Sequence, residues 1–398
     1  MLTSLALIFL VGLAAAAICR QIHLPGIIGM LLTGMFLGPF ALNLLDPSIL
    51  GISADLRKMA LIIILIKAGL SLDLADLKKV GRPALLLSFL PASFEVLAYV
   101  LLAPPLLHLP RIEAAVMGAV LAAVSPAVVI PRMLHLMETR YGKEKGIPQM
   151  VMAGASCDDI FVIVLFSTFS GMAQGGAAKV LDFVNIPVSI LLGIAVGAVF
   201  GYVLARFFET AYSHRHLVRN SMKVLIVLGV SFLLIAIEGW LQGHIAVSGL
   251  LAVVSMACVL RIRSTAQVSG RLAEKFGKLW IAAEVLLFVL VGAAVDLHYT
   301  RSAGAAAVAM ILLALVFRAA GVGLCLLKTP LTGRERLFCV LAYLPKATVQ
   351  AAIGSVPLAM GLPCGKIVLS VAVLGILITA PLGAIGIDST YRTLLTKN

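Results

Sequence analysis

The stretch GASCDDIFVIVLF, residues 154–166, sets two adjacent aspartates, Asp158 and Asp159, inside a run that otherwise has the composition of lipid-buried helix. They do not read as a helix cap. A helix starting at Ser156 would leave only about ten apolar residues after it, where a membrane crossing needs about 20. The helix therefore begins near Pro148, a residue suited to a first helical turn, and the pair lies close to the middle of the crossing. A charge at that depth costs roughly 2.5–3.5 kcal/mol on insertion scales, so it faces a protein interior or a wet cavity and marks function. Neighbouring residues point about 100° apart on a helix, so the two acids need not do the same work.

The rest of the chain is built in the same way. Of its 398 residues 61% are apolar and 12% charged, whereas soluble domains average about 25% charged. Apolar blocks separated by short charged loops match a hydrocarbon core about 30 Å thick. The reading is an all-α polytopic membrane protein with thirteen transmembrane helices, near 2–18, 24–41, 59–72, 84–104, 112–130, 147–171, 186–206, 223–240, 244–260, 279–296, 304–327, 337–357 and 364–386. The first block has neither a basic leader nor a small-residue cleavage site and is expected to be a retained span. The net charge of +13 is spread over many loops, which argues for a lipid bilayer as partner and against nucleic acid. Six cysteines without CxxC spacing read as reduced core residues, with no cofactor implied.

With thirteen spans, 22 lysines and arginines fall in loops on one side and 6 on the other. Cytoplasmic loops collect such residues, so the N-terminus is expected outside and the C-terminus in the cytoplasm of a bacterial-type inner membrane. Three of the 31 basic residues remain inside spans: Lys67, Arg318 and Lys346. Set against the intramembrane acids Glu95, Asp158, Asp159 and Glu284, they leave one negative charge over, which asks for a mobile cation or a proton. Glu95 and Arg318, in corresponding spans of the two halves, are expected to form a buried ion pair. Lys67 and Glu284 form a second symmetric set, unless Glu284 competes for Lys346. The histidines, among them His135, His214, His216 and His244, read as solvated loop or span-end residues.

Two internal echoes organise the chain. AGLSLDL (68–74) resembles VGAAVDL (291–297), and AVSPAVV (123–129) resembles AYLPKAT (342–348). Both echoes are seven spans apart, an odd offset that inverts the second copy, giving two inverted six-helix repeats joined by a connecting helix at 186–206. Inverted repeats let each half of a secondary transporter take the other's conformation. Pro126 and Pro345 fall mid-span, and each frees backbone groups that lipid cannot satisfy. Two broken helices crossing near the midplane are expected there, with Lys346 offsetting negative helix ends or pairing with an aspartate.

The strings AVSPAVVIPRML (123–134), YGKEKGIPQMVMAGASCDDI (141–160) and LAYLPKATVQAAIG (341–354), together with KAGLSLDLADLKK (67–79), resemble the monovalent cation:proton antiporter superfamily, in its NHA-type sodium/proton exchanger branch. That resemblance implies exchange of Na⁺ or Li⁺ for H⁺ by alternating access, a role in pH homeostasis, with Asp159 as the main carboxylate for cation and proton. Asp158 would be its partner and Lys346 the buried lysine beside them, with Ser125, Ser156 and Thr348 as neutral oxygen ligands. It also implies a homodimer in which core helices (84–171 and 304–386) slide against scaffold and dimerisation helices (1–75 and 223–297). Relatives carry Thr-Asp at the first helix break, where this chain has Ser125-Pro126. The short stretch after the last span sets the expectation against the gated potassium-efflux branch. Within the superfamily the alternative is K⁺/H⁺ exchange; outside it, a sodium-coupled symporter of organic anions would use the same architecture. An intramembrane aspartyl protease is disfavoured, because adjacent aspartates cannot flank a peptide bond and neither Gly-x-Gly-Asp nor HExxH is present. A transporter, not an enzyme, is expected.

Overall fold

The computed structural model describes residues 1–22, 24–71, 81–174, 180–213, 220–241 and 247–397. These are helical apart from connecting turns and an isolated antiparallel bridge between Tyr141 and Lys397. Nine helical stretches among the described residues are long and apolar enough to cross a membrane, two of them (Arg82–Leu107 and Arg111–Glu138) interrupted part-way: Leu2–Gln21, Arg82–Leu107, Arg111–Glu138, Ile147–Gln174, Leu191–Thr210, Ser221–Leu241, Ala266–Ala293, Gly304–Cys325 and Gly365–Leu394. At the other four expected spans the helices differ for local reasons. Gly26–Leu37 and Gly249–Arg263 are shorter, and Ser53–Ser71 carries Asp55, Arg57 and Lys58 in its first turns. The span expected at 337–357 is divided into Gly333–Ala342, Thr348–Gly354 and Val356–Ala359, where Pro345 and Pro357 remove backbone donors. The AGLSLDL echo runs into residues outside those described, as do His214, His216 and His244.

The chain divides into two compact units. One comprises Met1–Arg57, Asp73–Phe169 and Val285–Asn398. In it Leu90–Leu107 packs along Leu297–Cys325, and Gly365–Leu394 packs on both Leu297–Cys325 and Gly333–Ala342. Its core includes Leu87, Val124, Met133, Phe338, Tyr343 and Ile387. The other comprises Lys58–Leu72 and Ser170–Glu284. There Val180–Ser213 lies along Gly249–Arg263, and Gly193 and Gly201 face the backbone so closely that a Cβ would stand 2.6 Å from Ser248 O and 2.5 Å from Met256 O. Between apolar helices in lipid, such backbone approach supplies the packing that a hydrophobic driving force supplies in water.

Loops in the first unit are tied by polar contacts. The Met1 amino group lies 3.3 Å from Asp46 Oδ2, and Arg132 grips Asp388 through both Nε and Nη2. Glu335 Oε2 accepts from Lys145 Nζ at 2.9 Å and closes a capping box with Thr332 at the head of Gly333–Ala342. Burial acts to push the Glu335 carboxyl up, but the bonds from Lys145 and from the Thr332 amide and hydroxyl outweigh it and hold the group below the usual carboxylate range. A lowered folded-state value stabilises the fold above the unfolded value of about 4.3 and is lost as pH falls through the folded one. Glu335→Gln is therefore expected to unfold more easily than wild type near neutrality, with the gap closing in acid. Thermal unfolding in detergent across that range checks this; a gap that persists in acid would contradict it.

Candidate functional site

The first helix break follows from a Ser-Pro step. Arg111–Leu121 ends, residues 122–125 leave the helix, and Pro126 opens Pro126–Glu138 at its first turn. Proline disfavours the helical conformation in the residue before it, and Ser125 is extended at φ −88°, ψ 109°. The second break runs from Tyr343 through Pro345 to Ala347, between Gly333–Ala342 and Thr348–Gly354. The two breaks touch: Ser125 N donates to Pro345 O at 2.7 Å.

Seven backbone groups at or beside the breaks meet polar side chains. Leu121 O accepts from Lys346 Nζ at 2.5 Å, and Ala123 O from Gln350 Nε2 at 2.7 Å. Tyr343 O accepts from Arg318 Nε at 2.5 Å, and Ala122 O from Arg318 Nη1. On the donor side, Val124 N reaches Asp158 Oδ2 at 2.7 Å, Ala347 N reaches Gln350 Oε1 at 2.8 Å, and Lys346 N reaches Thr379 Oγ1 at 3.0 Å. Irregular backbone at membrane depth is tolerated only when satisfied within the protein in this way.

The charges form a chain. Glu95 takes Lys346 Nζ on Oε1 at 2.6 Å and Arg318 Nη1 on Oε2 at 2.8 Å, and Arg318 Nη2 lies 3.3 Å from Asp158 Oδ2. All four side chains are fully buried. Two acids and two bases cancel, and Asp159 stands outside the set. It is 6% exposed, and its Oδ1 is buried without a hydrogen-bond partner. Asp158 Oδ1 and Ser125 Oγ are buried and unpartnered as well. Of the acids Glu95, Asp158 and Asp159, Asp159 is the one that these ion pairs leave out. Of the two roles expected for Lys346, it performs the first, on the carbonyl end of Arg111–Leu121, while its ion-pair partner is Glu95 and not an aspartate.

Other residues singled out from the sequence are placed as follows. Thr348 is buried at the start of Thr348–Gly354. Ser156 lies on Ile147–Gln174, with its side chain outside the described set. Lys67 and Glu284 belong to the second unit and are half-buried, not sealed. The Lys67 ammonium lies over the Trp280 ring, 5.7 Å from its centroid, one turn before Glu284. Sequence reading missed Gln350, Thr379 and the Tyr343 carbonyl. Gln350 was in view inside PKATVQAA as a lone amide in an apolar string; Thr379 carried no signal in a span of ordinary composition.

Two broken helices meeting at a buried charge network, within an all-helical membrane fold, define a secondary transporter of ions. The description sodium/hydrogen exchanger, transmembrane, matches residues 5–391, and the chain belongs to that family, within the monovalent cation:proton antiporters. It is 35% identical to human sodium/hydrogen exchanger 9B2 over 384 residues, 94% of this chain and 70% of that one. To the Xenopus tropicalis protein of the same name it is 34% identical, over 87% of this chain and 65% of the relative. The solved sodium proton antiporter MjNhaP1 from Methanocaldococcus jannaschii superposes with a TM-score of 0.82 over 99% of this chain and 97% of that one, at 22% identity, a likeness of fold.

Proposed function

We propose that this antiporter exchanges Na⁺ or Li⁺ for H⁺ by alternating access, and that Asp159 is the carboxylate for which the two ions compete. One observation carries the reading: five buried charges surround the crossed breaks, four neutralise one another, and Asp159 is left. A bare carboxylate in a medium of low dielectric is costly, so Asp159 is filled by a proton on one leg of the cycle and by a cation on the other. Asp158 Oδ1 and Ser125 Oγ, buried and without hydrogen-bond partners, together with the buried Thr348, are the hard oxygens that an alkali ion prefers. Asp158 is held by Arg318 and the Val124 amide, and so supplies a fixed wall to the site. Neutralisation by either ion, never both, permits the moving helices to cross.

The wider architecture belongs to the same proposal: thirteen crossings, inverted repeats, a homodimer, and core helices sliding on a scaffold. The two breaks, seven expected spans apart, support the repeat. The expected alternation of loops between two sides is supported by contacts between loops of like side, while N-terminus outside and C-terminus cytoplasmic rests on the distribution of basic residues. Met1 meets the loop after the second span; the loop after the fifth meets the one after the eleventh through Lys145–Glu335 and the C-terminal segment through Gly142 N to Thr396 O at 2.9 Å.

The test is a pH dye trapped in acid-loaded proteoliposomes, pulsed with sodium, lithium or potassium. Sodium and lithium pulses are expected to alkalinise the lumen, and Asp159→Asn to abolish the response. A response to potassium alone would move the protein to K⁺/H⁺ exchange. Sodium uptake that needs an organic anion and moves no protons would make it a symporter, and an undiminished Asp159→Asn response would remove Asp159 from its role.

A further inference from the structure

We propose that Gln350 is a positioning residue for exchange: its carboxamide is the clasp that holds the two helix breaks in register and keeps Lys346 on Glu95. The inference rests on the exchanger reading and adds a residue to it. Gln350 is fully buried. Its Oε1 accepts from Ala347 N at 2.8 Å, within the second break, while its Nε2 crosses to the first break and donates to Ala123 O at 2.7 Å and to Leu121 O at 3.4 Å. A primary amide is the neutral side chain able to offer an acceptor and two donors at once. Leu121 O is also the anchor of the Lys346 ammonium. The carboxamide and the ammonium therefore lean on one carbonyl, and a shift of the first break relative to the second moves Lys346 with it. Direct backbone contact between the breaks is the bond from Ser125 N to Pro345 O, and the charged side chains Arg318 and Lys346 also reach across, to Ala122 O and Tyr343 O and to Leu121 O. Gln350 is the neutral attachment among them, fastened to the backbone of both breaks at once.

The charged groups around the clasp are Glu95, Lys346, Arg318 and Asp158, and they make two variants informative. Gln350→Leu keeps the volume and removes every hydrogen bond, leaving buried carbonyls short of donors; exchange is expected to fall about tenfold or more at every pH. Gln350→Glu behaves differently. As the neutral acid it accepts from Ala347 N and donates to Ala123 O but has no second donor for Leu121 O, so transport at the acid end is expected to fall less than in Gln350→Leu. Once ionised it sets oxygen against the Ala123 and Leu121 carbonyls and competes with Glu95 for Lys346, so the alkaline limb of the rate profile is expected to move acidward by about one unit. A defect of packing alone would lower the rate uniformly and leave the profile where it was.

Both variants are measured as full chains in dye-loaded proteoliposomes beside wild type, with thermal unfolding in detergent across the same pH range. A Gln350→Leu protein with the wild-type rate, or a Gln350→Glu protein whose profile is merely scaled down, overturns the inference. If Gln350→Leu does not fold, the Gln350→Glu profile decides alone. A wild type silent to every cation pulse would sink the exchanger reading instead, and the clasp would then stand or fall on whether Gln350→Glu, unlike wild type, loses thermal stability as pH rises.

Discussion

Arg318→Met is expected to destabilise the protein by about 3–5 kcal/mol, the cost of removing one member of a buried charge set. Four acceptors depend on this guanidinium: Glu95, Asp158, and the carbonyls of Ala122 and Tyr343, one from each helix break. Without it Glu95 and Asp158 face a single base, Lys346, and two buried carbonyls lose their donor. Lysine is expected to recover only part of the loss, because a point ammonium cannot reproduce the planar fork of donors. The double variant Arg318→Met with Glu95→Gln restores the charge balance to zero and should be more stable than the single. Thermal unfolding in detergent measures all three; a loss under about 1 kcal/mol, or a double variant worse than the single, would contradict the hub.

The two adjacent aspartates are expected to fail in opposite ways. Asp158→Asn removes the charge that Arg318 Nη2 meets and weakens the cap on the Val124 amide. It leaves a surplus buried cation, and a stability loss of about 3–5 kcal/mol follows. Asp159→Asn breaks no hydrogen bond to its buried Oδ1 and removes a carboxylate that burial disfavours, so the fold should be unharmed while exchange disappears. Melting temperature and dye response, read on the same two preparations, separate stability from transport. Equal destabilisation by both would mean that Asp159 has a structural partner in solution.

Much of this was legible before the fold was in hand, because lipid is a strict solvent. A charge or a proline at mid-span is costly, so Asp158, Asp159, Lys346, Pro126 and Pro345 stood out by type and depth alone, and a simple charge count implied a surplus acid. Pairing was less legible. Glu95 serves Lys346 and Arg318 together, and Arg318 also reaches Asp158, contacts that depend on the rotation and height of helices far apart in the chain. Neutral polar residues were least legible: Gln350 and Thr379 cost little to insert, so nothing in composition separates one that bridges two breaks from one that bonds its own helix. The prolines gave the place of each interruption but not its length, which is why one expected span became three short helices.

The bond between Gln350 and Ala123 has a consequence for biogenesis, because its two ends are 227 residues apart. When the first interrupted helix leaves the ribosome, the groups that will cover its open backbone have not been translated. At about 5–20 residues per second the wait is roughly 10–45 s. Throughout that interval the nascent half must sit against water, the translocon or an insertase, since acyl chains offer it no hydrogen bond.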